Sequence, residues 1–183
     1  MKRFCTGLCM LALLALPGVA QKNEADRVAM PGQAGQSHIA REVRHELLML
    51  PYYGVFDNIA FRVEGTSVTL LGQVRDPVLK NDAGNVVKKI EGVTKVDNQI
   101  QVLPLSPMDD QIRQAAFRAI YGEPSLTRYA YQAVPPIHIV VNNGHVTLMG
   151  VVANQTDKTL AGMRANQLSG VFSVDNQIQV EGK

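Results

Sequence analysis

His38, Glu42 and His45 stand at i, i+4 and i+7, a spacing that would put two imidazoles and a carboxylate on one helical face, within reach of a common cation. Arg41 and Arg44 are interleaved with them and oppose a cation, so the stretch reads as a solvated polar helix face. His138 is strand-borne and His145 follows a turn, neither with an evident partner. No Gly-x-Ser-x-Gly elbow, His-Glu-x-x-His pair or phosphate-cradling loop occurs, and no acid–base pair stands out. The chain is therefore expected to be non-enzymatic, with no cofactor and no metal site.

Binding chemistry is better represented. Tyr52, Tyr53 and Phe56 lie together, and Tyr121, Leu126, Arg128, Tyr129 and Tyr131 form a second group. In a chain without Trp and with 5% aromatics, this gathers most of the rings into two places. Tyr suits a lipid headgroup boundary, because its ring is apolar while its hydroxyl stays wet; the alternative is that the rings close a core or pack domains together. Lys80, Lys88, Lys89 and Lys95 form a basic group, each worth about 1 kcal/mol beside an anionic membrane. Asp82 and Glu91 dilute it towards an ordinary solvated face.

The elements that position these residues follow from an internal repeat. Residues Ile59 to Val102 align without gaps on Ile137 to Val180, and VDNQIQV occurs at 96–102 and again at 174–180. Val68-Thr69-Leu70 matches Val146-Thr147-Leu148, Gly72 matches Gly150, Ala83-Gly84 matches Ala161-Gly162, and Gly92-Val93 matches Gly170-Val171. Upstream, Ile39, Val43 and Leu47 recur every four residues, as do Ile112, Ala116 and Ile120, marking one buried helical face in each copy. Ser37 and Asp109 are placed as N-caps, with Pro51 and Pro124 as stops. About five extra residues, around RYAYQ, separate helix and first strand in the second copy.

Period-2 alternation at Ile59, Phe61 and Val63, then at Val68, Leu70 and Val74, predicts a hairpin, as does the counterpart across Asn142-Asn143-Gly144. A second helix is predicted over 78–91 and 155–169, and a last strand over 95–102 and 173–180. Each copy is then αββαβ. The expected class is α+β: two tandem domains, each a three-stranded sheet packed against two helices.

Gly72 and Gly150 are read as a bulge or a close approach of helix to sheet, and Gly92 and Gly170 as left-handed helix C-caps. Asn98 and Asn176 are read as buried amides that pin the preceding loop. Leu71 and Met149, of opposite parity to Leu70 and Leu148, are candidates for exposed apolar surface.

Residues 1–20 have a basic start, an apolar run near Leu8–Leu16 and small residues at Gly18 and Ala20, the layout of a signal peptide cleaved near Ala20. The run is too short to span a bilayer. Cys5 and Cys9 are the only cysteines, and Cys9 precedes most of the apolar run, whereas a lipidated cysteine would follow it. The mature domains are thus held by packing alone. Lys2 and Arg3 account for the whole excess of 18 basic over 16 acidic residues, and the neutral remainder argues against a nucleic-acid partner. Residues 21–36 read as a flexible leader, 37–103 as the first domain, 104–107 as a proline-stiffened linker, and 108–181 as the second domain.

The order helix, strand, hairpin with Val68-Thr69-Leu70-Leu71-Gly72, helix, then Gly92-Val93 and Val96-Asp97-Asn98, repeated in the second copy, resembles the BON domain, named for bacterial osmotically inducible and nodulation proteins. Two such domains behind a signal peptide resemble the small dual-BON proteins of bacterial envelopes. The resemblance implies a periplasmic, peripheral protein that attaches to anionic phospholipid surfaces or envelope components, in envelope maintenance or osmotic stress. A protein-interaction scaffold within an envelope assembly, or a small ion or osmolyte binder, are the alternatives. The insertion in the second copy is a departure from the repeat and stands where a lipid-contact surface would be transferred.

Overall fold

The computed structural model describes residues 38–182; the expected signal peptide, leader and Ser37 cap lie outside them. The first unit runs α1 (His38–Leu48), β1 (Asn58–Glu64), β2 (Ser67–Val74), α2 (Pro77–Val87), β3 (Lys95–Asn98) and β4 (Gln101–Val102). The second runs α3 (Pro107–Tyr121), a short 3-10 helix at Thr127–Tyr131, β5 (Ile137–Asn142), β6 (His145–Val152), α4 (Gln155–Asn166), β7 (Ser173–Asn176) and β8 (Gln179–Val180). The class is α+β, with two αββαβ units.

In each unit the hairpin's second strand is central. β2 pairs antiparallel with β1 and parallel with β3, with Val68 opposite Val96 and Leu70 opposite Asn98. β6 repeats this with β5 and β7, Val146 opposite Val174 and Leu148 opposite Asn176. The third strand, expected as one stretch, is broken in two. Ile100 and Ile178 turn fully into their cores at the break, while Gln99 and Gln177 donate their N–H groups to Leu70 and Leu148.

The helices bury the stripes that their spacing demands: Val43 and Leu47 on α1, Ile112, Ala116 and Ile120 on α3. Ser106, not Asp109, caps α3, its hydroxyl accepting from the Asp109 N–H at 3.2 Å. The Asp109 carboxylate instead accepts from the N–H groups of Asn143 and Gly144, both at 2.8 Å, and so ties the hairpin turn to the helix start. Both α2 and α4 end earlier than their amphipathic stretches suggest, at Val87 and Asn166; Gly92 and Gly170 have positive φ but belong to the turns beyond.

Gly72 and Gly150 allow a close approach of strand to strand, rather than of helix to sheet. At φ of +115° and +116°, a Cβ there would stand 2.1 Å from the Asn58 carbonyl oxygen and 1.8 Å from that of Pro136. Helix and strand meet at Gly84 and Gly162. There the Asn98 amide donates to the Lys80 carbonyl at 2.8 Å and the Asn176 amide to the Lys158 carbonyl at 2.7 Å. The two asparagines therefore clamp strand to helix, not to the preceding loop.

The two cores trade residues. Val55, ahead of β1, belongs to the second unit's core, and Val134, ahead of β5, packs against the first. The Val55 carbonyl accepts from the Ile139 N–H at 2.7 Å, so the segment entering β1 covers part of the exposed edge of β5. Ala60 and His138, on the outer faces of β1 and β5, are buried as a consequence.

Candidate functional site

The two aromatic groups divide by burial. Tyr53 and Phe56 join the units: Tyr53 is buried and stacks on His138, with ring centroids 5.6 Å apart, and Phe56 meets Phe117 edge-on at 6.1 Å. The Arg75 guanidinium lies over the Phe56 ring, 5.6 Å from its centroid. Tyr121 closes one end of the second core, its hydroxyl donating to the Ile137 carbonyl at 2.6 Å and accepting from the Ile137 N–H at 3.1 Å. Leu126 is fully buried in that core. Tyr53, Leu126 and Tyr129, expected among surface-binding residues, are thus buried in packing roles.

The inserted segment has a definite task. Its 3-10 helix sets the Tyr129 hydroxyl against the start of α4, where it donates to Asp157 at 2.6 Å and accepts from the Ala153 N–H at 2.9 Å. Arg128 pairs with the same carboxylate and lies over the Tyr129 ring. In the first unit the corresponding N–H, that of Arg75, is accepted by the Asp57 carboxylate at 2.8 Å. A buried acid in one copy is replaced by a tyrosine hydroxyl in the other.

Electrostatics at the junction follow burial. Desolvation raises the pKa of Asp57, opposed by the Arg75 and Gly54 N–H groups and by the charges of Arg75 and Arg113. Desolvation also raises the pKa of Tyr53 and of Tyr121, and lowers that of His138 against the pull of the Asp57 and Gly54 backbone. Arg113 is buried beside them, held by Asp110 at 2.7 Å and by the Val141 carbonyl at 2.6 Å.

Two candidates remain fully open: Tyr52 is 85% exposed and Tyr131 is 83% exposed. Tyr52 follows Leu48 and Met49, and Tyr131 precedes Gln132 and Ala133; these four neighbours line one cleft between the units. The exposed tyrosines thus belong to two segments bordering the same cleft.

The lysines do not join them. Lys95 lies beside Ser67, which pairs with Glu64 at the far end of β1 from Asn58 and the Tyr52 loop. Seven strand residues separate those ends, roughly 20 Å at about 3.3 Å per residue. Lys88 and Lys89 are exposed just beyond the end of α2, on the approach to β3, and Lys80 is half-buried with its carbonyl held by Asn98. In the second copy Arg164 is committed to Glu123.

Leu71 and Met149 are half-buried, opposite Ala60 and His138. His145 has a partner in the Ser173 hydroxyl at 2.7 Å. Among the described residues no three His, Cys, Asp or Glu side chains are grouped to hold a metal ion, and no helix is long and apolar enough to cross a membrane. The residue whose burial spacing alone passed over is His138. Its signal was the nearly unbroken apolar run Ile137–Val141, which marks a strand buried on both faces.

Two small αββαβ units that trade core residues and leave tyrosines beside their shared cleft define a duplicated module whose open surfaces suit binding. The BON domain model matches residues 36–104 and again 109–182, and the chain belongs to that family, whose members are linked to membrane- or envelope-associated binding. No curated protein matches the chain. Among solved structures, the C-terminal domain of CdsD, the structural protein of the type III secretion system of Chlamydia trachomatis, is similar at 14% identity and a TM-score of 0.29, covering 80% of this chain and 98% of that one. A second CdsD structure gives 14% identity and a TM-score of 0.28, covering 78% and 91%.

Proposed function

We propose that the chain is an exported, non-enzymatic periplasmic module that attaches peripherally to anionic phospholipid surfaces of the envelope, leading with the end that carries Tyr52 and Tyr131. The supporting observation is that these two rings, 85% and 83% exposed, stand on segments bordering one cleft. Leu48 and Met49, both exposed, add apolar area beside Tyr52. A ring at this depth replaces water around apolar carbon while its hydroxyl remains among headgroups.

Arg75 and Arg128 supply cations at the same end, although Asp157 neutralises the second. Lys88, Lys89 and Lys95, at the opposite end, add long-range attraction that salt screens. Envelope maintenance or osmotic stress is the setting this reading implies.

Co-sedimentation with anionic and with zwitterionic vesicles tests it. Binding to anionic vesicles that weakens with salt is expected, and no binding at low salt overturns it. Crosslinking in cells that captures one stoichiometric protein, with no vesicle binding, would favour the scaffold. A melting shift with an ion or osmolyte alone would favour the small-solute binder.

A further inference from the structure

β3 has β2 on one side only, so its outer backbone groups are open to a further strand. The repeat bears on this edge. Between residues 59–102 and their counterparts 137–180, most exposed positions carry different side chains in the two units. Apart from the turn glycines Gly92 and Gly170, the positions exposed in both and identical are Asp97 and Asp175, Gln99 and Gln177, and Gln101 and Gln179. All lie on β3 and β4, on β7 and β8, or at the breaks between them. Packing accounts for Val96 and Ile100, which meet the core, and for Asn98, which bonds to α2. It does not account for the exposed residues between them.

The charges select the occupant. Lys95 and Asp97, both exposed, share one face of β3, with half-buried Val96 on the other. Among the described residues Lys95 forms no ion pair. Asp97 accepts from the Gln99 amide at 2.6 Å, and a carboxylate has capacity for more. A second β3 laid antiparallel across Val96 sets each Lys95 opposite Asp97 of the other copy, and Val96 opposite Val96. A slip of one residue sets Val96 against Asp97 or Lys95. A slip of two opposes either two aspartates or two lysines. β7 has Ser173 where β3 has Lys95, so two β7 strands form no such ion pair, and β3 against β7 forms one instead of two.

We propose that β3 is an isologous contact between two copies of this chain, paired antiparallel about Val96 with two Lys95–Asp97 ion pairs. Four residues a side make a small contact, so dimers are expected at about 0.1–1 mM. The edge is separate from the surface attachment proposed above, because Lys95 stands at the far end of the sheet from the Tyr52 loop.

Sedimentation equilibrium of the mature chain up to about 1 mM tests it. Lys95→Asp alone and Asp97→Lys alone oppose like charges and should each weaken dimerisation by at least about ten-fold. An equimolar mixture of the two variants should dimerise as the wild type does, since every Asp then faces a Lys. Val96→Cys supplies a second readout, because the only native cysteines are Cys5 and Cys9. Although half-buried, it should form a disulfide dimer on oxidation faster than the exposed Gln101→Cys. No association at about 1 mM, association indifferent to both charge variants, a mixture no better than its parts, or faster crosslinking at position 101 overturns the proposal. Vesicle binding without self-association overturns the edge pairing and leaves the attachment reading standing.

Discussion

The ring of Tyr53 stacks on the imidazole of His138, 5.6 Å between centroids and 24° between planes, so a loop of the first unit closes over a strand of the second. Neither the Tyr53 hydroxyl nor His138 Nδ1 has a hydrogen-bond partner. The pair is held by ring contact and by the Val55–Ile139 backbone bond alongside. The junction is therefore fixed by shape more than by polar bonding.

Two tyrosines should respond in opposite ways to loss of a hydroxyl. Tyr53→Phe removes an unpartnered group and is expected to be neutral or slightly stabilising. Tyr121→Phe strips both bonds from the start of β5 and should cost about 1–3 kcal/mol. Thermal denaturation of both variants checks this; an equal loss in Tyr53→Phe would contradict it.

Acid should loosen the molecule at His138. Its pKa is lowered from 6.5 by burial, so the unfolded chain takes up the proton first and stability falls as pH drops below about 6.5. Asp57, whose pKa is raised by burial, acts in the opposite sense but only at lower pH, where protonation relieves its cost. Melting temperature measured between about pH 7.5 and about pH 5.5 should fall in the wild type and fall less in His138→Gln.

The twin asparagines should be locally structural. Asn98→Ala leaves the Lys80 carbonyl and the Ile100 N–H short of a partner, and Asn176→Ala does the same at Lys158 and Ile178. Each should cost about 1–3 kcal/mol. Amide hydrogen exchange should quicken in α2 for the first and in α4 for the second.

Gly150→Ala should be worse. A Cβ 1.8 Å from the Pro136 carbonyl oxygen, at φ of +116°, forces β5 and β6 apart at an expected cost of at least about 2 kcal/mol. Urea denaturation reads the loss directly, and a midpoint like that of the wild type would contradict the close approach.

Much of each unit was legible because its signals are local. VDNQIQV, the hairpin Asn-Gly pair and the four-residue helical stripes each depend on neighbours in the chain; the pair and the stripes fall on the turn and the helices they suggest, and VDNQIQV falls on the third strand except at its break. The break in the third strand was not legible, since Gln99-Ile100 keeps strand-like composition while Ile100 turns into the core. The junction was hidden for another reason. Tyr53 and His138 are 85 positions apart in sequence, and parity says which face of a strand a residue takes, not what covers that face. For Tyr52 and Tyr131 residue type suggested a surface role, but their openness beside buried Tyr53 and Tyr129 depends on tertiary packing.

The most direct measurement compares two variants on anionic vesicles at low salt. One is Tyr52→Asn with Tyr131→Ser, in which Asn suits the left-handed backbone at position 52, where φ is +68°. The other is Lys88→Glu with Lys89→Glu and Lys95→Glu. The tyrosine variant is predicted to lose binding by at least about ten-fold, and the charge variant to retain most of it with a shallower salt dependence. Wild-type binding by the tyrosine variant, with loss in the charge variant, would contradict attachment through the cleft end.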